Sequence, residues 1–118
     1  MKRSHRDLRA WKQAIELVSA VYALTANFPE TERYGLTSQM RCAAVSIPAN
    51  IAEGAARSGT RELIHFLSIA SGSLSELDTF LELAVKLGYV TDVQHVQEQI
   101  DNVAGLIMGL SASLKRRH

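Results

Sequence analysis

The chain has 118 residues, a formal net charge of +1, and 47% hydrophobic but only 6% aromatic residues. This length allows one domain, residues 1–118, and the two prolines and seven glycines favour helices over a sheet with many tight turns. The single cysteine, Cys42, excludes an internal disulfide, and without a signal-peptide pattern or a membrane-spanning apolar run we expect a cytoplasmic protein.

Apolar residues recur at alternating steps of three and four along four segments, which is the periodicity of a helix face. The first segment covers residues 8–27 and ends before Pro29, because the residue preceding a proline leaves helical geometry. The second begins at residue 37 or 38, where Thr37 or Ser38 is an N-cap candidate, and continues to about residue 56. The third spans residues 61–87 and is ended by Gly88.

The fourth helix follows a capping box in which Thr91 is the N-cap and Gln94 lies three residues further on. Four helices joined by short loops predict an all-α, up-down antiparallel four-helix bundle. Pro48 lies inside the second helix and removes the N–H that would bond the Ala44 carbonyl. We therefore predict a kink in the second helix at Pro48.

The third helix is apolar on more than one side, because Phe66, Ile69, Phe80, Leu83 and Leu87 stand beside its main leucine row. Small side chains at steps of four, three and four would also let another backbone approach closely. Two interpretations are open: the helix is central within the monomer, or it forms a subunit interface. We favour a homo-oligomer. The interface candidates are Ser68, Gly72, Ser75 and Thr79.

Polar residues on the second and third helices are expected to meet across the bundle as a buried hydrogen-bonded network. Such a network fixes the helix register and performs no chemistry. Cys42 is expected to be a buried, inert thiol. The network candidates are Arg41, Asn50, Glu53, Ser73 and Glu76.

Two patterns that suggest catalysis lack the partners they need. Glu62 and His65 form a Glu-x-x-His pair, but di-iron bundles need a second such pair and two further glutamates, and His95 and Glu98 stand in the reverse order. Residues 54–60 resemble a phosphate-binding loop without its lysine. We expect no enzyme, no catalytic residue, no metal, no cofactor and no small-molecule substrate.

An up-down bundle gathers the start of the first helix, the turn between the second and third, and the end of the fourth at one end. Nine basic and three acidic residues fall there, a net charge of +6, which leaves four basic and nine acidic residues, a net charge of −5, elsewhere. This basic end is either a surface that attracts RNA or DNA phosphates or a set of solvated termini. No aromatic residues interleave with its charges, as stacking platforms for single strands require. The candidate contacts are Lys2, Arg3, Arg6, Arg9, Arg57, Arg61, Lys115, Arg116 and Arg117.

Three blocks cover nearly the whole chain: KRSHRDLRAWKQAIELVSAVYALTANFP at its start, YGLTSQMRCAAVSIPANIAEGAAR at 34–57 and ELIHFLSIASGSLSELDTFLELAVKLGY at 62–89. These blocks resemble the bacterial 23S rRNA intervening-sequence proteins. The resemblance implies an up-down four-helix bundle that assembles into a ring, in related proteins a pentamer, with no established catalytic residues.

One branch of that family, the accessory protein of diversity-generating retroelements, binds nucleic acid and a reverse transcriptase through a basic surface. Members of that branch are markedly basic, whereas this chain carries a net charge of +1, with Cys42 and His65 where relatives often have a basic residue. We therefore predict a non-enzymatic oligomeric scaffold or adaptor. The alternative is a nucleic-acid-binding accessory protein that uses the basic end, with a reverse-transcriptase-like partner.

Overall fold

The computed structural model describes residues 4–117. All regular secondary structure in that range is helical, with no strand. The helices are α1 (Arg9–Thr25), α2 (Leu36–Ala56), α3 (Thr60–Lys86) and α4 (Gln94–Arg116). Short 3₁₀ turns at His5–Asp7 and Glu30–Glu32 precede α1 and α2. The prediction of an all-α chain with four helices is confirmed, and the helices begin and end within two residues of the bounds expected from the periodicity.

One buried row on each helix builds the core. On α1 the row is Ala10, Ala14, Leu17 and Val21, residues three or four apart that point to the same side of a helix. Helix α1 contacts α2 and α4, and α3 contacts the same two helices, whereas within residues 4–117 no Cα atom of α1 lies within 8 Å of a Cα atom of α3. The four helices therefore surround a single core, as in a four-helix bundle.

Helix α2 is continuous through the buried Pro48. Two residues further on, Asn50 Nδ2 donates to the Ser46 carbonyl at 2.8 Å and lies 2.9 Å from Ser46 Oγ. Ser46 Oγ in turn hydrogen-bonds Ser73 Oγ at 2.8 Å, which links α2 to α3. Side chains thus supply hydrogen bonds next to the residue that has no backbone donor. The bend of the helix axis at Pro48 stays a prediction.

The backbones of α2 and α3 come close together at Gly54, which is buried. A Cβ placed on Gly54 would lie 2.7 Å from Phe66 Cβ and 3.3 Å from Leu63 Cα. Both of those atoms are fixed to the backbone of α3. A residue without a side chain is therefore needed at this position.

The first backbone amide of α2 donates a hydrogen bond to a glutamate that lies outside the helix. Glu32 Oε1 accepts from the Leu36 N–H at 3.0 Å, and the helix begins at Leu36, before the predicted cap residues Thr37 and Ser38. Thr37 and Ser38 are helical themselves, so neither is the N-cap. A carboxylate at a helix N-terminus is favourable because the free amides carry positive partial charge.

The predicted capping box of the fourth helix is wrong. Helix α4 begins at Gln94, its N-cap is Val93, and Thr91 makes no cap hydrogen bond. Asp92 Oδ1 accepts from the Gln94 N–H at 3.2 Å instead. Asp92 lies one residue nearer to the helix than Thr91, and its carboxylate is the stronger acceptor at this position.

The loop after α3 is tied to the loop before α2. Gly88 has a φ of +78°, and its N–H donates to Val85 O while the Tyr89 N–H donates to Ala84 O, the paired bonds of a Schellman motif. This turn places Tyr89 Oη so that it donates to Glu32 Oε2 at 2.7 Å. The Leu36 amide first and the Tyr89 hydroxyl second lower the pKa of Glu32, and the bond to Glu32 raises the pKa of Tyr89.

Candidate interaction surfaces

A cavity of about 280 Å³ lies where four parts of the chain meet. Leu8 precedes α1, Gly54 is near the end of α2, Thr60 starts α3, and Leu114 is near the end of α4; all four residues line this cavity. The parts of the chain that the charge pattern assigned to a basic end are therefore close together. Arg117 lines the same cavity together with Arg57.

The basic candidates within residues 4–117 are all exposed, and Lys2 and Arg3 lie outside the described residues. Arg57 donates to Glu53 Oε2 at 2.9 Å, and its guanidinium carbon stands 5.2 Å from the centre of the Phe66 ring. Arg6 stands 5.3 Å from the centre of the Trp11 ring. Arginine–aromatic pairs therefore exist at this end, although the local sequence does not interleave the two residue types. The exposed candidates are Arg6, Arg9, Arg57, Arg61, Lys115, Arg116 and Arg117.

The small residues of α3, namely Ser68, Gly72, Ser75 and Thr79, are all exposed. A Cβ on Gly72 would meet nothing within 4 Å, and Thr79 Oγ1 turns back to donate to the Ser75 carbonyl at 2.9 Å. Ser75 and Thr79 also line a groove of about 570 Å³ between α3 and α4. This row therefore lies on the outer surface of the bundle, and the space next to it is open.

The second apolar row of α3 divides between the core and the surface. Phe80 is partly buried against the core, whereas Leu83 is 44% exposed, Leu87 55% and Ile69 38%. Met108 on α4 is 69% exposed. The bundle leaves these side chains uncovered, so the four helices do not bury every apolar side of α3.

The predicted polar network is only partly assembled. Asn50 and Ser73 are connected, but through Ser46, which the sequence had not singled out although it lies four residues before Asn50. Glu53 pairs instead with Arg57, and Glu76 is exposed on α3. The connected cluster is therefore a short α2–α3 link.

Arg41 faces α1. Its Nε donates to Thr25 Oγ1 at 2.8 Å, and its guanidinium carbon stands 4.5 Å from the centre of the Tyr22 ring. The next residue, Cys42, is exposed, so the expectation of a buried thiol is wrong. Successive residues on a helix point about a quarter-turn apart, and with Arg41 directed to α1, Cys42 lies on the outside.

The structure adds a groove of about 590 Å³ that the sequence did not reveal. Tyr22 contributes to it from α1, Tyr34 from the connecting loop, and Arg41 and Val45 from α2. Tyr34 is 87% exposed, and the guanidinium carbon of Arg33 stands 5.6 Å from the centre of its ring. The residues are distant in sequence, and only the packing of α1 on α2 brings them together.

No group of three or more His, Cys, Asp or Glu residues within 4–117 is placed to hold a metal ion. Glu62 and His65 are exposed at the start of α3, and His95 and Glu98 are exposed at the start of α4. None of the helices in that range has the combined length and apolar character of a bilayer crossing.

Comparisons with known proteins agree with this architecture. A family model described as 23S rRNA-intervening sequence protein matches residues 6–109. A crystal structure of a protein with unknown function from the S23 ribosomal protein family of Bacteroides thetaiotaomicron VPI-5482 superposes with a TM-score of 0.77 and 21% identity, covering 87% of this chain and 95% of that one. At this identity the likeness establishes the fold alone, and no curated protein matches the sequence. Because the family model spans most of its length, this chain belongs to the 23S rRNA intervening-sequence protein family.

Proposed function

We propose that this protein is a non-enzymatic, homo-oligomeric scaffold or adaptor of the cytoplasm that presents its two ends to other macromolecules. The observation that carries the proposal is the exposed apolar surface of α3 and α4, where Leu83, Leu87 and Met108 are 44%, 55% and 69% exposed. Exposed apolar side chains favour association, because each Å² of apolar surface removed from water contributes roughly 25 cal/mol.

The proposed subunit is an up-down bundle with α2 kinked at Pro48. Cross-helix contacts support the up-down order. Ser46 contacts Ser73 while Gly54, further along α2, approaches Phe66, earlier on α3. Residue numbers thus rise on α2 as they fall on α3, as in antiparallel neighbours. Copies of this subunit assemble as a ring, and the family resemblance favours a pentamer.

Sedimentation velocity and native mass spectrometry at micromolar concentration test the assembly. We expect a discrete oligomer, and a stable 13.0 kDa particle would overturn the proposal. Gly72→Arg introduces a long charged side chain on the small-residue row and is expected to weaken assembly. Gly109→Arg is the matched control, because Gly109 is also an exposed helical glycine whose added Cβ meets nothing within 4 Å. Equal assembly by the two variants would exclude the row as an interface.

Nucleic-acid binding at the basic end is the second candidate function. It is supported by the cavity shared by Arg57 and Arg117 and by the exposure of the neighbouring Lys115 and Arg116. Replacing condensed counterions at phosphates with these side chains would give a strongly salt-dependent affinity.

Fluorescence anisotropy with single-stranded RNA and DNA, at low and then at physiological salt, tests this candidate. The double variant Arg116→Glu/Arg117→Glu should reduce binding without changing the oligomer. The control Lys12→Glu/Lys86→Glu makes the same change in net charge at exposed positions outside the basic end and should retain binding. Absence of binding by the unaltered protein at low salt would exclude this function.

A further inference from the structure

Two sides of the bundle carry grooves of opposite charge. The groove between α1 and α2 has Arg33 and Arg41 among its lining residues and no acidic residue. The grooves between α3 and α4 have Asp78, Glu82 and Asp101 among their lining residues and no basic residue. These two sides share no helix, and within residues 4–117 no Cα atoms of α1 and α3, or of α2 and α4, lie within 8 Å of each other. The charges therefore face different directions on one subunit.

We infer that subunits associate head to tail, with the α1–α2 groove of one copy binding the α3–α4 groove of the next. This inference rests on the proposed oligomer and names the two surfaces that meet in it. The occupant of each groove is a second copy of this chain, because the two linings complement each other in charge and each has exposed apolar residues beside its charges.

The α1–α2 groove has the composition of an interface hot spot. Tyr and Arg dominate such sites, and here the 87% exposed Tyr34 lies beside Arg33, while Arg41 lies over Tyr22. The hydrogen bond from Arg41 Nε to Thr25 Oγ1 at 2.8 Å already fixes the guanidinium. Arg41 would therefore lose little further side-chain entropy on binding, which favours a specific contact.

The α3–α4 side offers the matching chemistry. Gln97 Nε2 donates to Asp78 Oδ1 at 2.9 Å and to Asp101 Oδ1 at 3.2 Å, so a single amide orients both carboxylates. Met108 and Leu83 lie beside these acids and are exposed. Carboxylates bind guanidinium groups strongly, and methionine sulfur packs favourably against aromatic rings.

Charge also selects the mode of association. If either groove met its own counterpart across a two-fold axis, arginines would face arginines or carboxylates would face carboxylates. A contact between unlike grooves avoids both repulsions. Such a heterologous contact leaves one free groove at each end of a growing assembly, so copies continue to add until the ring closes.

Two substitutions test this arrangement, one in each groove. Tyr34→Glu places an acid in the arginine groove, and Met108→Arg places a base in the acidic groove. Both side chains are largely exposed, so folding should persist, as circular dichroism would verify. Each variant alone should dissociate at a concentration at least about tenfold higher than the unaltered protein. Combining both substitutions in one chain should restore the ring, because opposite charges then face each other at every contact. Mixing the two variants should give species larger than either variant forms alone, because the glutamate of one variant then faces the arginine of the other.

Matched controls introduce the same charges nearby. Thr31→Glu lies exposed in the same loop as Tyr34, and Gly109→Arg lies next to Met108 but outside the groove lining. Both controls should assemble as the unaltered protein does. If the unaltered protein is a monomer, the proposed function itself fails. If it assembles, but the single variants also assemble normally or the mixture forms no larger species, the head-to-tail contact is overturned and the scaffold proposal stands.

Discussion

Gly54→Ala tests the close approach of α2 and α3. The added Cβ would lie 2.7 Å from Phe66 Cβ and 3.3 Å from Leu63 Cα, and neither atom can move by changing a rotamer. Relief therefore requires the two helices to separate, at a cost of about 1–3 kcal/mol for overpacking. Alanine regains roughly 1 kcal/mol of helix propensity over glycine. We expect a net loss of up to about 2 kcal/mol in the free energy of unfolding.

Urea denaturation followed by far-UV circular dichroism measures this change, at one fixed protein concentration because the proposed assembly would also stabilise the fold. Gly109→Ala is the matched control. Gly109 is an exposed glycine in α4 whose added Cβ meets nothing within 4 Å, so the propensity term acts alone and should stabilise by about 0.5–1 kcal/mol. The steric argument is refuted if Gly54→Ala proves as stable as Gly109→Ala.

Four further predictions have distinct outcomes. Folding lowers the pKa of Glu32 from its ordinary 4.5, so the stability that Glu32 contributes is present above that pH and is lost as the pH falls through the folded value. In a plot of the urea midpoint against pH, Glu32→Gln should therefore make the fall at acid pH less steep. Folding raises the pKa of Tyr89 from 10.0, so the stability that Tyr89 contributes is present below that pH and is lost as the pH rises through the folded value. Tyr89→Phe should therefore make the fall of the urea midpoint at alkaline pH less steep. A double-mutant cycle of Ser46→Ala and Ser73→Ala should give a coupling of about 1 kcal/mol for their 2.8 Å hydrogen bond. Gly88→Ala should destabilise by about 1–2 kcal/mol at its φ of +78°, measured by urea denaturation.

Three of these outcomes have a matched control. Glu30→Gln removes a carboxylate of the same turn that bonds the exposed Arg33 and no α2 amide, so its urea midpoint at neutral pH should stay close to that of the unaltered protein. Thr79→Ala removes an exposed hydroxyl of α3, and its effect should add to that of Ser46→Ala without coupling. A Gly88→Ala variant as stable as Gly109→Ala would contradict the conformational argument.

Periodicity predicted the helices because one core imposes the same spacing on all four. Leu77 on α3 and Ile107 on α4 are buried where the three-four pattern predicts burial. On α1 the pattern also marks Ile15 and Tyr22, which are 39% and 42% exposed, whereas Leu17 is buried. The exact helix ends were harder to predict, because they depend on side chains that lie outside the short capping motifs. Glu32 holds the first amide of α2 from the preceding turn, and Tyr89, far along the chain, orients that glutamate.

Of the candidate surfaces, one could be predicted from the sequence and one could not. The cavity that includes Arg57 and Arg117 follows from helix order and connection length, which the sequence specifies. The groove containing Tyr22 and Tyr34 depends on how α1 packs against α2, and no local pattern encodes that packing. Cys42 illustrates the same point, since it was expected to be buried and its rotational position on α2 exposes it.

The hydrogen bonds that run from Tyr89 through Glu32 to the Leu36 amide have a dynamic consequence. Release of the loop after α3 would free the glutamate, and the first turn of α2 would then fray. The two loops should consequently open as one cooperative unit, with similar protection against amide hydrogen exchange. Exchange of the Leu36 amide thus reports, from the start of α2, on the movement of a tyrosine beyond the end of α3.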